Sequence, residues 1–120
     1  MKNPFNILSK STNELILNES VDVKTRIKEI ISANDIVLFM KGNAEFPQCG
    51  FSANSVAILK HLGKDFKTYD ILKDPELRQA LKEYSNWPTY PQLYFKSKLI
   101  GGNDIITEMY QSGELQELFG

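Results

Sequence analysis

"DIVLFMKGNAEFPQCGFSANSVAILKHLG", residues 35–63, decides the fold. Its opening, "DIVLFMKG", is a short β-rich apolar run without polar alternation, the pattern of a strand buried on both faces. "FPQCG" breaks that run. "SANSVAILKHLG" then reads as a helix that stops at Gly63, since glycine takes the left-handed conformation of a helix C-terminus at little cost. The break carries Cys49, the only cysteine in 120 residues, at the start of a helix that Gly50 and Phe51 open. Two cysteines at this spacing would form a dithiol redox pair, but Ser52 holds the second position.

Working outward, "VDVKTRIKEIIS" (21–32) sets apolar residues at mostly helical spacings among charged ones and reads as an amphipathic helix. "FKTYDI" (66–71) reads as a second strand. Asp74-Pro75 opens a third helix, "PELRQALKEYS" (75–85), because aspartate caps helices well and proline suits the first helical position. "YPQLYFKSKLIGG" (90–102) gives two short strands around a Lys96-Ser97-Lys98 turn, a hairpin. "NDIITEMYQSG" (103–113) is a further helix and "ELQELF" (114–119) a short terminal one. Strands alternating with helices imply βαβ units, and the hairpin adds an antiparallel edge. The expected class is α/β with a thioredoxin-like fold: a central four-stranded mixed sheet flanked by helices. Residues 1–19 show no sustained period and are read as an extension or a short docked helix, and residues 20–120 as one domain.

Composition is that of an ordinary soluble domain, 42% apolar and 24% charged. A net charge of −1 leaves no basic footprint for nucleic acid. No apolar run approaches the roughly 18–20 residues that span a bilayer, and the N-terminus lacks a signal-peptide core. Its first residues include Lys2 and Lys10 but also Glu14 and Glu19, and no Arg, unlike a mitochondrial leader. One cysteine forms no internal disulfide, so a reducing intracellular compartment is expected: the cytoplasm, or the mitochondrial matrix if the source is eukaryotic.

Three segments carry chemistry. At a helix start, unpaired N–H groups and the helix dipole favour a thiolate at Cys49, and Lys41 at the end of the first strand adds positive charge. The alternative is an inert packed cysteine, against which the turn residues Pro47, Gln48 and Gly50 argue. In "WPTYPQL" (87–93) the bond Tyr90-Pro91 is either cis, leaving the Tyr90 backbone free to pair with an extended peptide, or an ordinary trans turn. In "IGGND" (100–104) two glycines lead into a helix whose first turn holds Asp104, either a site for a carboxylate or only a tight turn. His61 reads as a helix-end residue, Trp87 as packing beside the groove, and Met40, Met109, Phe66, Tyr69, Phe95 and Tyr110 as packing.

"FMKG" (39–42), "PQCGFS" (47–52), "DPELRQALKEYSNWPTYPQLY" (74–94) and "IGGNDI" (100–105), in this order and spacing, closely resemble the monothiol glutaredoxins of the CGFS type. The resemblance implies glutathione lying across a groove with its sulfur beside Cys49. Lys41 and Arg78 would face its glycine carboxylate, although Arg78 is equally readable as a solvated helix charge. Thr89, Tyr90 and Pro91 would pair with its cysteine, Phe51 would line the groove, and Gly102, Asn103 and Asp104 would receive the γ-glutamyl end. Lys82 and Gln48 are further candidate contacts. Many relatives have cysteine after the two glycines where this chain has Asn103, so Cys49 is resolved only by an external thiol. The resemblance also implies a [2Fe–2S] cluster, which normally takes four thiolates. This chain supplies one, so two protomers and two glutathiones are expected to complete the set, as a cluster-bridged homodimer that is monomeric without cluster. Iron–sulfur cluster assembly and transfer, with a part in iron and redox homeostasis, is the expected function, and a BolA-type protein or an iron–sulfur client a possible partner. The alternative is a glutathione-dependent thiol–disulfide oxidoreductase working through Cys49 alone, for which the resemblance implies low activity.

Overall fold

Strand β1 (Ile36–Met40) is buried along its whole length. A computed structural model describes residues 12–120, with side chains from residue 23, and it divides β1 between two cores. Val37 and Phe39 pack to one side, Ile36, Leu38 and Met40 to the other. A strand covered on both faces needs no polar alternation, which is why its sequence shows none.

Helix α1 (Thr12–Ala33) precedes β1, and α2 (Gly50–Leu62) follows it. Then come β2 (Lys67–Asp70), one turn of 3-10 helix at Ile71–Lys73, α3 (Pro75–Ser85), the hairpin β3 (Gln92–Phe95) and β4 (Lys98–Gly101), α4 (Asn103–Ser112) and α5 (Glu114–Phe119). The sheet order is β2-β1-β3-β4, with β1 parallel to β2 and antiparallel to β3, and β3 antiparallel to β4. Ile27 and Ile31 of α1 with Leu77 and Leu81 of α3 cover one face; Val56 and Leu59 of α2 with Ile106 of α4 and Leu115 of α5 cover the other. This is the thioredoxin-like α/β fold, a four-stranded mixed sheet between helices.

Several boundaries differ from the sequence reading. The α1 backbone starts at Thr12, ahead of the expected boundary at residue 20, and the expected extension's residues 1–11 lie outside the described residues. Ile71 leaves the second strand because Asp70 Oδ1 accepts from the Leu72 N–H at 2.9 Å and turns the chain into the 3-10 helix. The hairpin turn is Lys96-Ser97 alone, both at positive φ, while Lys98 already pairs with Phe95 in β4. Two such residues match the right-handed twist of the flanking strands.

The start of α3 is fixed twice. Asp74 Oδ1 accepts from the Leu77 N–H at 3.1 Å, and Oδ2 from Arg26 of α1 at 2.6 Å. Partial burial raises the Asp74 pKa, but the Arg26 bond and the Leu77 amide outweigh it and hold the carboxyl below its ordinary value. The half-exposed ion pair adds little beside the cap, so Asp74→Ala is expected to cost about 1–2 kcal/mol, more than Arg26→Ala. The Asp74 contribution is present above the ordinary aspartate value near 4 and is lost as pH falls through the lower folded value. Urea unfolding of both variants between pH 7 and 3 checks this: the gap between wild type and Asp74→Ala should narrow toward pH 3.

Candidate functional site

Antiparallel pairing brings the C-terminal ends of β1 and β4 beside the N-terminal end of β3: Phe39 lies opposite Gln92, and Leu93 opposite Gly101. Loops leaving and entering these strands therefore meet at one end of the sheet. A groove of about 410 Å³ opens there, running between α3 on one face and the start of α4 on the other, with the start of α2 between. Its size suits a small peptide-like ligand.

The loop after β1 is tightly specified. Gln48 N–H donates to the Lys41 carbonyl at 2.9 Å, and Gly42 bridges Pro47. From outside, Asp70 Oδ1 accepts from the Gly42 N–H at 3.0 Å; from inside, Ser52 Oγ accepts from the Lys41 N–H at 3.1 Å. Asn43 Oδ1 takes the N–H groups of Glu45 and Phe46. With its main chain held on three sides, Lys41 has little backbone freedom, and the chain reaches Cys49 in a set position.

Cys49 is the half-buried N-cap residue of α2, with extended backbone at φ −157° and ψ 138°. Its sulfur makes no capping hydrogen bond of full geometry, so the first amides of α2 act on it as nearby dipoles. The Ser52 amide lowers the thiol pKa most; slight burial opposes it, and the Phe51 amide, the Lys41 charge and the Ser52 hydroxyl add to the lowering. The net direction is toward thiolate, the nucleophilic and metal-binding form. Ser52 is itself fully buried. Ser52→Ala leaves the Lys41 N–H without its acceptor and is expected to cost about 1–3 kcal/mol. The thiol should stay acidic because its largest cause is a backbone amide. Iodoacetamide alkylation against pH checks this: a midpoint risen to that of an ordinary cysteine contradicts it.

The far wall rests on buried polar anchors. Gln92 is fully buried, and its Nε2 donates to the carbonyls of Trp87 and Thr89 at 3.1 and 3.3 Å, arching residues 87–89 over it. Tyr90 O–H donates to the Arg78 carbonyl at 2.6 Å, tying the same segment to α3. Burial pushes the Tyr90 pKa well above its ordinary value, so the phenol stays neutral. The Tyr90-Pro91 bond is cis. Gly102 packs against the Trp87 indole: a Cβ there would lie 3.2 Å from Nε1. Asp104 is exposed in the first turn of α4.

The groove thus has cations from the loop after β1 and from α3 at one side and a helix N-terminus with a carboxylate at the other. A ligand bearing a carboxylate at one end and an amino-acid group at the other would be matched at both. The family model described as Glutaredoxin matches residues 36–100. A Synechocystis protein named "Uncharacterized monothiol glutaredoxin ycf64-like" is 54% identical over 97 residues, 81% of this chain and 91% of that one. The chain belongs to the monothiol glutaredoxins. Monothiol glutaredoxin-5, mitochondrial, of Saccharomyces cerevisiae is 48% identical over 102 residues, covering 82% of this chain and 68% of that one. The solution structure of reduced poplar apo GrxS14 has a TM-score of 0.73 at 52% identity, covering 81% of this chain and 89% of that one. Other relatives are much longer: the match covers 88% of this chain but 21% of rice Monothiol glutaredoxin-S11.

In this glutaredoxin, Lys41, Cys49, Phe51, Arg78, Thr89, Tyr90, Pro91, Gly102, Asn103 and Asp104 all line the groove, and so does Lys82. Gln48 does not; its Nε2 turns back to the Phe46 carbonyl at 3.1 Å. Trp87, read as packing beside the groove, lines it together with Pro88 and Ile105. Asp70 and Gln92 escaped the sequence reading as parts of the site. Gln92 had a signal, an amide at the start of a strand otherwise apolar to Phe95. Asp70 had none, because its two bonds are to backbone amides, one of them 28 residues away.

Proposed function

We propose that this monothiol glutaredoxin binds glutathione in the groove and, as a pair of protomers, carries a [2Fe–2S] cluster for assembly into other proteins, with a part in iron and redox homeostasis. The donor set is the observation that carries the reading. The cluster takes four thiolates, the chain has one cysteine, and no group of three or more His, Cys, Asp or Glu side chains among the described residues is placed to hold a metal. The groove supports recruiting the rest as glutathione. Lys41, Arg78 and Lys82 suit the glycine carboxylate, the backbone of Thr89, Tyr90 and Pro91 the cysteine, and the start of α4 at Gly102, Asn103 and Asp104 the γ-glutamyl end, with Phe51 beside them. Two Cys49 thiolates and two glutathione thiolates complete the count, so the dimer forms with the cluster and separates without it.

A cluster half held by diffusible ligands is released more readily than one held by four protein cysteines, which suits delivery to a client. A BolA-type protein in place of one protomer fits the same count. A reducing intracellular compartment fits an obligatory free thiol; among relatives, a yeast one is named mitochondrial and a rice one chloroplastic. No helix among the described residues is long and apolar enough to cross a membrane.

The glutathione requirement is the test. Anaerobic loading with iron and sulfide should succeed with glutathione and fail when a phosphine reductant replaces it; equal loading under both conditions refutes the ligand set. The lowered Cys49 pKa also favours a second reading. The Cys49 thiolate attacks the glutathione-side sulfur of a mixed disulfide and expels the substrate thiolate, and a second glutathione then displaces the first as glutathione disulfide. Robust turnover in a disulfide-exchange assay, lost in Cys49→Ser, would favour that enzyme.

A further inference from the structure

Two helix N-termini face the groove, α2 at Cys49 and α4 at Gly102 and Asp104. The two helices share an apolar core, through Val56, Leu59 and Ile106, and a polar link besides. Asn103, the first residue of α4, uses its Oδ1 to accept from Asn54 Nδ2 at 2.9 Å and from Ser55 Oγ at 3.0 Å. Asn54 Nδ2 also donates to Thr107 Oγ1 at 2.9 Å, one turn further along α4. Ser55 is fully buried, so its hydroxyl depends on an internal partner. Apolar contacts between helices tolerate small slides; two donors converging on one oxygen fix both distance and direction.

We infer that Asn103 is a positioning residue, held by Asn54 and Ser55, that sets the separation of the Cys49 sulfur from the start of α4 and so the fit of glutathione to both at once. This rests on the glutathione reading above. Asn103 lines the groove at the helix start while its side-chain oxygen is spent on α2. Donors at the α4 start must reach the γ-glutamyl carboxylate at about 3 Å while the ligand sulfur meets Cys49, and small misplacements are costly in such paired contacts. Asn54 separates positioning from ligand contact: it is exposed on α2, lies outside the groove lining, and hydrogen-bonds to α4 at Asn103 and Thr107.

The test is the equilibrium of the full chain with glutathione disulfide, read as the glutathionylated fraction by intact-protein mass spectrometry. The Cys49 thiolate attacks one sulfur of the disulfide, the new protein–glutathione S–S bond forms, and the other half leaves as thiolate and takes a proton from water. Asn103→Ala is expected to shift this equilibrium about tenfold toward free thiol, the effect of about one hydrogen bond. Asn54→Ala should shift it the same way, and the double variant should lose no more than Asn103→Ala alone. The pH midpoint of Cys49 alkylation should stay put in all three, which separates ligand fit from thiol acidity. Lower melting temperatures with the equilibrium within twofold of wild type would show a merely structural link and overturn the proposal. A wild-type chain that iodoacetamide alkylates but glutathione disulfide does not modify would overturn the glutathione reading itself, and the proposal with it.

Discussion

Cys49→Ser is expected to bind no cluster and form no glutathione mixed disulfide, while folding as well as the wild type. A serine hydroxyl stays protonated at neutral pH and is a poor ligand for iron in a cluster that normally takes thiolates. Two protomers lacking Cys49 retain only the glutathione thiolates, half of the set, so the loss should be complete. Stability should not follow. Cys49 has the extended N-cap backbone and makes no capping bond of its own, and serine is among the best N-cap residues, so the change should be neutral or stabilising by up to about 1 kcal/mol. Iron content and the thermal melt are the two readouts. A loaded Cys49→Ser dimer would remove Cys49 from the ligand set, and an unfolded variant would make the cysteine structural.

Gly42→Val is expected to be the most damaging single change in the active loop. Gly42 has φ +87°, and a Cβ there would lie 2.5 Å from the Phe46 carbonyl oxygen and 2.7 Å from the Gln48 nitrogen. Both neighbours are backbone, so relief requires opening the loop between Gly42 and Cys49. Left-handed backbone for a β-branched residue and overpacking against main chain together cost roughly 3–5 kcal/mol. Gly63→Ala is the control. Gly63 is also left-handed, at φ +75°, but nothing lies within 4 Å of its added Cβ, so the expected cost is about 1–2 kcal/mol, from conformation alone. Urea unfolding of both variants measures the difference; equal costs would mean that close approach at Gly42 is unimportant. Gly42→Val should also lose cluster loading at temperatures where it remains folded, and Gly63→Ala should keep it.

Where local chemistry decides structure, the sequence was a sufficient guide. Asp74-Pro75 marked the start of α3 because cap and ring both act within one turn. The unbroken apolar run of β1 reported burial on both faces, and Gly63 marked the end of α2. What escaped was set by partners distant in the chain or by backbone rather than side-chain character. The Asp70 side chain ended β2 one residue early and also clamped Gly42, neither of which its own neighbours reveal. Helix α1 begins before its apolar spacing becomes regular. Ser52 was legible as a missing second thiol; that its hydroxyl is the buried acceptor for the Lys41 amide was not, since the two meet only when β1 and α2 are assembled. Asn103 likewise shows its link to Asn54 and Ser55 only once α2 and α4 pack.

The central claim is that one thiolate per chain specifies a shared cluster. Its most direct measurement is the native mass and visible spectrum of the protein after anaerobic reconstitution with iron, sulfide and glutathione. The prediction is a coloured dimer of mass two chains plus one [2Fe–2S] unit and two glutathiones, reverting to a colourless monomer when the cluster is removed. A protein that stays colourless and monomeric after reconstitution would contradict it.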